Sequence, residues 1–300
     1  MTSSDDCYML RVLTWNAWFN EDVELELRMG GIVRIVTSSV PDVLALQEVT
    51  PRMLSLLRAP LQSAGYAVLE PKLNSPYFVV LCVSDRLRLK SSDFHAFASS
   101  VMGRGVFMIS AVLGDLELEV GTCHLESHVA ALHGATPVQT VSAATARRAQ
   151  LPEALAALER RRGSGAAAIC LGDFSWCSAR DGCAAGETAG EHWNDAWVAT
   201  NAAAGYTYDA RASPMLRGGS TYQARSDRVL YTGARLTVRS ARLVGTAPLP
   251  GLERSATDPR NVLPSDHYGV LVEFALKRQR ADAPEAAASS GGACAEAAPS

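Results

Sequence analysis

Six places in the chain set a carboxylate, an amide or an imidazole directly beside an apolar run: Asn16, Glu48, His124, Asp173, Asp227 and the Asp266-His267 pair. Each alone has an ordinary structural explanation. Asn16 reads as a turn residue, Glu48 as a helix-flanking carboxylate, His124 as a core histidine and Asp173 as a helix cap. Together the residue types form a coherent chemical set. A carboxylate next to an amide suits a hard divalent cation such as Mg²⁺, which takes oxygen ligands and keeps several waters. A second carboxylate can position or deprotonate a water nucleophile. Histidine donors can stabilise charge on a phosphoryl group. The Asp266-His267 pair offers both functions in two residues, a carboxylate for a cation and an imidazole for an anionic substrate. Competing chemistries lack their signatures: the chain has no Gly-x-Ser-x-Gly elbow, no Gly-x-x-x-x-Gly-Lys-Ser/Thr loop and no Cys-x-x-Cys.

These residues must be brought together by the elements they terminate. Strands are read at Tyr8 to Trp15, Val43 to Leu46, Tyr66 to Leu69, Tyr77 to Val83, Val106 to Leu113 and Leu116 to Cys123. Gly114-Asp115 joins the last two as a hairpin turn. Further strands are read at Ala166 to Leu171, Val229 to Tyr231, Leu236 to Val238, Arg242 to Val244 and Tyr268 to Phe274. Leu25, Met29, Ile32, Val33, Val36 and Val40 fall at helical spacing and stop before Pro41. Thr50-Pro51 caps and starts a second helix carrying Leu54, Leu57 and Leu61. The stretch from His128 to Thr140 reads as a loop, followed by an Ala/Leu/Arg-rich helix to about Arg162 in which Pro152 marks a kink or the true start. A loop-rich region with Trp176, Trp193, Trp197, Tyr206 and Tyr208 follows. Strands alternating with helices make an α/β chain, and strand ends are where such folds assemble sites from distant segments.

Composition bounds the remaining choices. Of 300 residues, 48% are hydrophobic, enough for a sizeable core, and the net charge of −3 carries no global nucleic-acid signature. Any nucleic-acid substrate must therefore be held by local arginines and a metal. The seven cysteines, Cys7, Cys82, Cys123, Cys170, Cys177, Cys183 and Cys294, are odd in number, and three lie in apolar runs, as free thiols of a reducing compartment do. No signal peptide and no membrane span is read. The division expected is a flexible 1–7, one catalytic domain over 8–276 and a disordered tail over 277–300, whose Lys277-Arg278-Gln279-Arg280 is a solvated helix end or a nuclear address.

Thr14-Trp15-Asn16, Leu46-Gln47-Glu48-Val49, His124-Leu125-Glu126-Ser127, Gly172-Asp173-Phe174-Ser175 and Ser265-Asp266-His267, in this order, resemble the endonuclease/exonuclease/phosphatase superfamily. His124-Leu125-Glu126-Ser127, Arg147-x-x-Gln150-Leu151 and Tyr206-Thr207-Tyr208-Asp209 resemble its 5′-tyrosyl-DNA phosphodiesterase branch. The resemblance implies a deoxyribonuclease I-like fold, a four-layer α/β sandwich of two mixed sheets flanked by helices. It implies a Mg²⁺ (or Mn²⁺) enzyme of DNA repair, a nuclear or cytoplasmic monomer. Such an enzyme hydrolyses the bond between a protein tyrosine and a DNA 5′ end and leaves a 5′ phosphate.

By the same resemblance Glu48 is the main protein ligand of the metal, with Asp266 and Asn16 nearby. Asp173 orients and activates the water. His267, oriented by Asp227, meets the scissile phosphate. His124, Ser127 and Ser175 hold the phosphate or the 5′ end, and Tyr208 packs on the substrate. Trp18 offers a further aromatic surface, whereas Phe19 is expected in the core. Ser175 departs from the superfamily's Gly-Asp-x-Asn pattern, from which a surviving but weaker activity, or a substrate held differently, is expected. Ser226 before Asp227 departs as well, where the family carries Phe. Other phosphodiesterases of the superfamily share these motifs: abasic-site nucleases, deadenylase-type ribonucleases, and inositol or sphingolipid phosphodiesterases. A catalytically silent binding protein, with Ser175 marking decay, is the alternative of another class.

Overall fold

Side-chain alternation along the strands divides the apolar residues between three layers of core. In β1 (Cys7–Asn16), Leu10 and Val12 point one way and Leu13 and Trp15 the other, as the two-residue period of a strand requires. Leu10 and Val12 meet Ile109, Val120, Ile169, Leu171 and Val270 between two sheets. Leu13 and Trp15 instead pack under α1 (Leu25–Ser39) and α2 (Pro51–Ser63), against Met29, Ile32, Val36 and Leu57. On the outside of the second sheet, Val106, Met108, Cys123 and Cys170 pack against Leu151, Leu155 and Leu158 of α3 (Pro137–Arg161). The layers run helix, sheet, sheet, helix, as the resemblance implies.

The computed structural model describes residues 7–127, 137–163, 166–176, 192–201, 203–216, 220–250 and 261–278. In the first sheet, β1 lies beside β2 (Val43–Val49) and β14 (Gly269–Lys277); β13 (Leu236–Val244), β4 (Phe78–Ser84) and β3 (Tyr66–Leu69) complete the order β13-β14-β1-β2-β4-β3. The second sheet holds β5 (Arg88–Ala96), β6 (Gly105–Leu113), β7 (Leu116–His124), β8 (Ala167–Asp173), β12 (Asp227–Thr232) and β9 (Asn194–Asp195), in that spatial order. Each sheet has one parallel pair, β1 with β2 and β7 with β8, flanked by antiparallel neighbours. Helices α1 and α3 lie in the connections of those two pairs, the crossovers that parallel strands need. The small ribbon β10 (Tyr208–Asp209) and β11 (Gln223–Ala224) stands apart from both sheets.

Several expectations are corrected. Strand β5 was not anticipated, because Arg88 to Asp93 is almost wholly exposed and carries no apolar alternation. Helix α3 begins at Pro137, inside the stretch expected to be a loop, and Pro152 lies within the helix rather than at its start. Strand β13 is continuous, with a register shift between Val238 and Ser240 where two strands were read. Short α4 (Ala196–Thr200) lies in the loop-rich stretch, capped by the Asp195 side chain, which accepts from Trp197 N at 3.0 Å. Cys7 pairs with Lys277 across β1 and β14, one residue beyond the 8–276 span at each end.

Cys82, Cys123 and Cys170 are buried free thiols, and burial pushes Cys82 up to about 12. Cys177, Cys183 and Cys294, the loop residues 128–136 and the tail from 279 lie outside the described residues. No helix among the described residues is long and apolar enough to cross a membrane.

Candidate active site

The strand period that fills the inter-sheet core also delivers the polar residues. Asn16 continues the Leu10/Val12 face of β1, His124 the Leu118/Val120 face of β7, Asp173 the Ile169/Leu171 face of β8, and Asp227 the Val229 face of β12. Register sets three of them side by side, with His124 opposite Asp173 and Asp173 opposite Asp227. Asn16 reaches across from the other sheet and donates from Nδ2 to Asp173 Oδ2 at 2.9 Å. Below them the same face carries Gln47, whose Nε2 donates to Thr122 Oγ1 at 3.0 Å and to Thr14 Oγ1 at 3.1 Å. This buried polar layer ties the two sheets together beneath the site, with its donors and acceptors paired as burial demands.

Simple alternation would send Glu48 to the helical side of its sheet. The register of β2 against β4 slips between Leu46 and Val49, and Glu48 takes a left-handed φ of 57°. That bulge re-aims the carboxylate at the site. Glu48 Oε2 accepts from Phe19 N at 3.2 Å. Gly172 answers another local demand. With φ at 155°, a Cβ there would lie 2.0 Å from the Cys123 carbonyl oxygen, so only glycine lets β8 deliver Asp173 beside His124.

Electrostatics separates the roles that the groups can take. Asp173 is held well below the ordinary carboxylate range although burial opposes this. Beside it stand the His124 and His267 rings, the Asn16 amide and Ser175 N, whose N–H donates to Oδ1 at 2.7 Å. Glu48 is pushed the other way, to about 7, by burial and by the neighbouring charge of Asp266. Asp266 is itself raised by burial. His124 is lowered to about 3 by burial and by Arg104, so the ring is neutral. Its Nε2 lies 3.3 Å from Asp173 Oδ2, and its Nδ1 lies 3.9 Å from Glu48 Oε1. With the proton on Nε2, Nδ1 and Glu48 face each other as two acceptors too far apart to bond. His267 Nδ1 lies 2.8 Å from Asp227 Oδ2. Burial opposes protonation of His267, yet Asp227 raises it well above the ordinary histidine value. Thr207 Oγ1 accepts from the Asp227 and Ser226 amides at 3.1 Å and fixes the far end of that pair.

The donor set fits a cation. Glu48, His124 and Asp173 form one group, and Asp173, Asp227 and His267 another, with the ligand atoms of each within 4.8 Å of one another. Asp266 belongs to neither group but bears on Glu48 by its charge. A carboxylate driven to about 7 by burial and by an adjacent carboxylate is a site short of positive charge.

The structure brings Asn16, Glu48, His124, Asp173, Asp227 and His267 together, and the remaining expected residues lie around them. Ser175 takes a φ of 46°, and its Oγ lies 3.3 Å from Asp173 Oδ1 and 3.5 Å from His124 Nε2. Tyr208 packs edge-on against the His267 ring, centroids 5.1 Å apart, and burial pushes its hydroxyl up to about 12. Trp18 N donates to Asn16 Oδ1 at 2.9 Å, but one face of its ring lies under the Arg28 guanidinium at 4.5 Å. Ser127 sits to one side, accepting from Arg104 Nη2 at 3.1 Å. Phe19, expected in the core, is 45% exposed and stacks on Tyr77 at 5.2 Å.

Two arginines went unread in the sequence. Arg28 of α1, fully buried, donates to the carbonyls of Ala17, Trp18, Asn20 and Pro264, pinning the two loops that carry Asn16 and Asp266. Arg104, just before β6, lines a pocket with Glu48, His124, Tyr77, Phe78 and Met102.

The endonuclease/exonuclease/phosphatase family profile matches residues 13–267. Tyrosyl-DNA phosphodiesterase 2 of Mus musculus is 27% identical over 126 residues, 42% of this chain and 34% of that protein. The 5′-tyrosyl-DNA phosphodiesterase of Caenorhabditis elegans is 30% identical over 128 residues, 42% of this chain and 35% of that protein. The chain therefore matches about a third of the length of these curated relatives. Truncated C. elegans TDP2 superposes with a TM-score of 0.73 at 22% identity, over 89% of this chain and 98% of that one. TDP2 of D. rerio complexed with a single-strand DNA product gives 0.73 at 21% identity, again over 89% and 98%. An endonuclease/exonuclease/phosphatase family protein of Bacteroides thetaiotaomicron gives 0.70 at 15% identity over 91% and 99%. These superpositions identify the fold.

Proposed function

Because the chain belongs to the endonuclease/exonuclease/phosphatase family, we propose that it is a Mg²⁺-dependent phosphodiesterase that hydrolyses the bond between a tyrosine and a DNA 5′ phosphate. The observation that carries this reading is the contrast between two carboxylates that flank one histidine, His124. Asp173 is held well below the ordinary carboxylate range, and Glu48 is raised to about 7 by burial and by Asp266. The relatives' names and the DNA-bound neighbour support the choice of substrate.

Glu48 and Asp266 would hold the cation, which supplies positive charge to the phosphoryl oxygens when bound. Asp173 orients the attacking water, accepting its hydrogen while Asn16 and the Ser175 amide keep the carboxylate in place. As the water oxygen bonds to phosphorus, its proton passes to Asp173. The bond to the tyrosine oxygen breaks, and its electron pair leaves on the phenolate. Phenol has an ordinary pKa of about 10, so the leaving group needs little acid assistance. His267, cationic through Asp227, donates to a phosphoryl oxygen as charge develops. His124 and Ser175, whose side chains lie 3.5 Å apart, would hold the 5′ phosphate, with Ser127 reached through Arg104, which adds positive charge to the pocket wall.

The test is turnover on an oligonucleotide carrying a 5′-phosphotyrosine, beside abasic-site and poly(A) oligonucleotides. The tyrosyl substrate should be cleaved to a 5′ phosphate with Mg²⁺ present. Asp173→Asn and Glu48→Gln should each lower kcat by roughly 10³-fold while the melting curve keeps its cooperativity. Near-normal turnover in Asp173→Asn at saturating Mg²⁺ would sink the assignment.

A further inference from the structure

Glu126 lies in the His124-Leu125-Glu126-Ser127 motif and is 3% exposed. Its partners lie outside that motif. Oε2 accepts from Ser100 Oγ and from Gln150 Nε2, both at 2.9 Å, and Oε1 accepts from Val101 N at 3.2 Å. The Glu126 amide donates to Gln150 Oε1 at 2.8 Å, and Arg147 Nη1 donates to the Glu126 carbonyl at 2.6 Å. Arg147 and Gln150, three apart on α3, present one polar face to this residue and are themselves fully buried. A buried carboxylate with this many donors is costly to assemble and rigid once assembled.

What it holds is the turn over residues 97–104. Ser100 Oγ, which donates to Glu126, accepts from Met102 N at 3.2 Å and from Arg104 N at 2.9 Å. The turn closes with Phe97 N donating to Arg104 O at 2.9 Å. Arg104 leaves this turn with its guanidinium donating to the Leu125 carbonyl, to Ser127 Oγ and to the Tyr77 hydroxyl, while its buried Nε has no partner among the described residues. One end of the chain of bonds is therefore a helix face, and the other is the cation that lines the pocket beside Glu48 and His124.

We propose that Glu126 is a positioning residue, clamped by Gln150 and Arg147, that holds the 97–104 turn through Ser100 and Val101 and thereby sets Arg104 against the pocket. Its effect on turnover rests on the phosphodiesterase reading. Its effect on the turn does not.

Two measurements on the full chain test it. Amide hydrogen exchange should show Val101, Met102 and Arg104 losing protection in Glu126→Gln and in Ser100→Ala, with β6 and β7 unchanged. Ser100→Ala leaves the buried carboxylate and its helix partners in place but itself removes the acceptor of the Met102 and Arg104 amides. Val101, whose N–H donates to Glu126, is therefore the amide that decides the matter where Glu126→Gln does not fold. On the tyrosyl oligonucleotide, kcat/KM should fall about tenfold in each variant, the effect of losing one hydrogen bond to a charged group. It should fall no further when either is combined with Arg104→Ala, because both act through one side chain. Unchanged protection at the turn overturns the proposal, and so does full additivity with Arg104→Ala. A wild-type chain that cleaves no phosphodiester defeats the phosphodiesterase reading alone, and the exchange result then decides the positioning role.

Discussion

At the level of single residues, Ser175 is the point where this chain departs from the Gly-Asp-x-Asn pattern its motifs otherwise follow, and the backbone shows what the departure costs. Ser175 sits at φ 46°, a left-handed conformation that asparagine tolerates far better than serine. An asparagine there would relieve local strain and place an amide where the hydroxyl now lies 3.3 Å from Asp173 Oδ1. Ser175→Asn should raise stability by about 0.5–1 kcal/mol and turnover by a few-fold. A denaturation curve and initial rates check both, and lowered activity would show the hydroxyl to be the adapted group. Asn16, Glu48, His124, Asp173, Asp227 and His267 were legible because each interrupts an apolar run with a group of definite chemistry. Arg28 and Arg104 were not. An arginine on a helix or in a turn reads as solvated surface, and only the carbonyls that converge on Arg28 reveal a buried role.

The elements that carry these residues were legible to the extent that burial patterned them. The two-residue β9 was not, and read as part of a loop, whereas the longer core strands of the sandwich were, because each alternates into a core on one face or both. Strand β5 was not, because it is an exposed edge strand whose side chains answer to solvent rather than to packing. The bulge at Glu48 was also invisible, since a register slip leaves no mark on composition. One backbone demand was partly visible, in the glycine before Asp173. The clash that a Cβ at Gly172 would make is with the β7 backbone, which cannot swing aside as a side chain would. Gly172→Ala should therefore cost about 3–5 kcal/mol, read from chemical denaturation. The residual folded protein should lose turnover as well, because the same strand end carries Asp173. An alanine variant of wild-type stability would mean that β7 and β8 can separate without cost.

Across the whole molecule, the site places acidic groups in a buried position that the fold alone leaves short of positive charge, and this links global stability to pH and to the cation. Glu48 has an ordinary value of 4.5 and is raised to about 7 in the folded chain. Between those values the native state binds more protons than the unfolded one, so stability falls as pH rises through this window. Asp266, also raised, acts in the same direction. Asp173 acts oppositely, but its contribution is complete above the ordinary carboxylate range and is lost only in acid. His124, lowered to about 3, acts oppositely to Glu48 up to its ordinary value of 6.5, whereas His267, raised, contributes stability that is lost above that value. Without a divalent cation the melting temperature should thus decline from about pH 6.5 to pH 8, with Glu48 alone worth roughly 3 kcal/mol across its whole window. Mg²⁺ held as proposed by the ionised carboxylates would have to displace a proton from Glu48 below about 7. Added Mg²⁺ should raise the melting temperature more at pH 8 than at pH 5.5, and calorimetry in buffers of different ionisation enthalpy should show proton release at pH 6 that vanishes by pH 8.5. In Glu48→Gln the decline with pH should shrink and the proton release should be lost. A melting temperature independent of pH in the metal-free protein would place Glu48 in a solvated, ordinary environment and remove the physical case for it as the principal ligand.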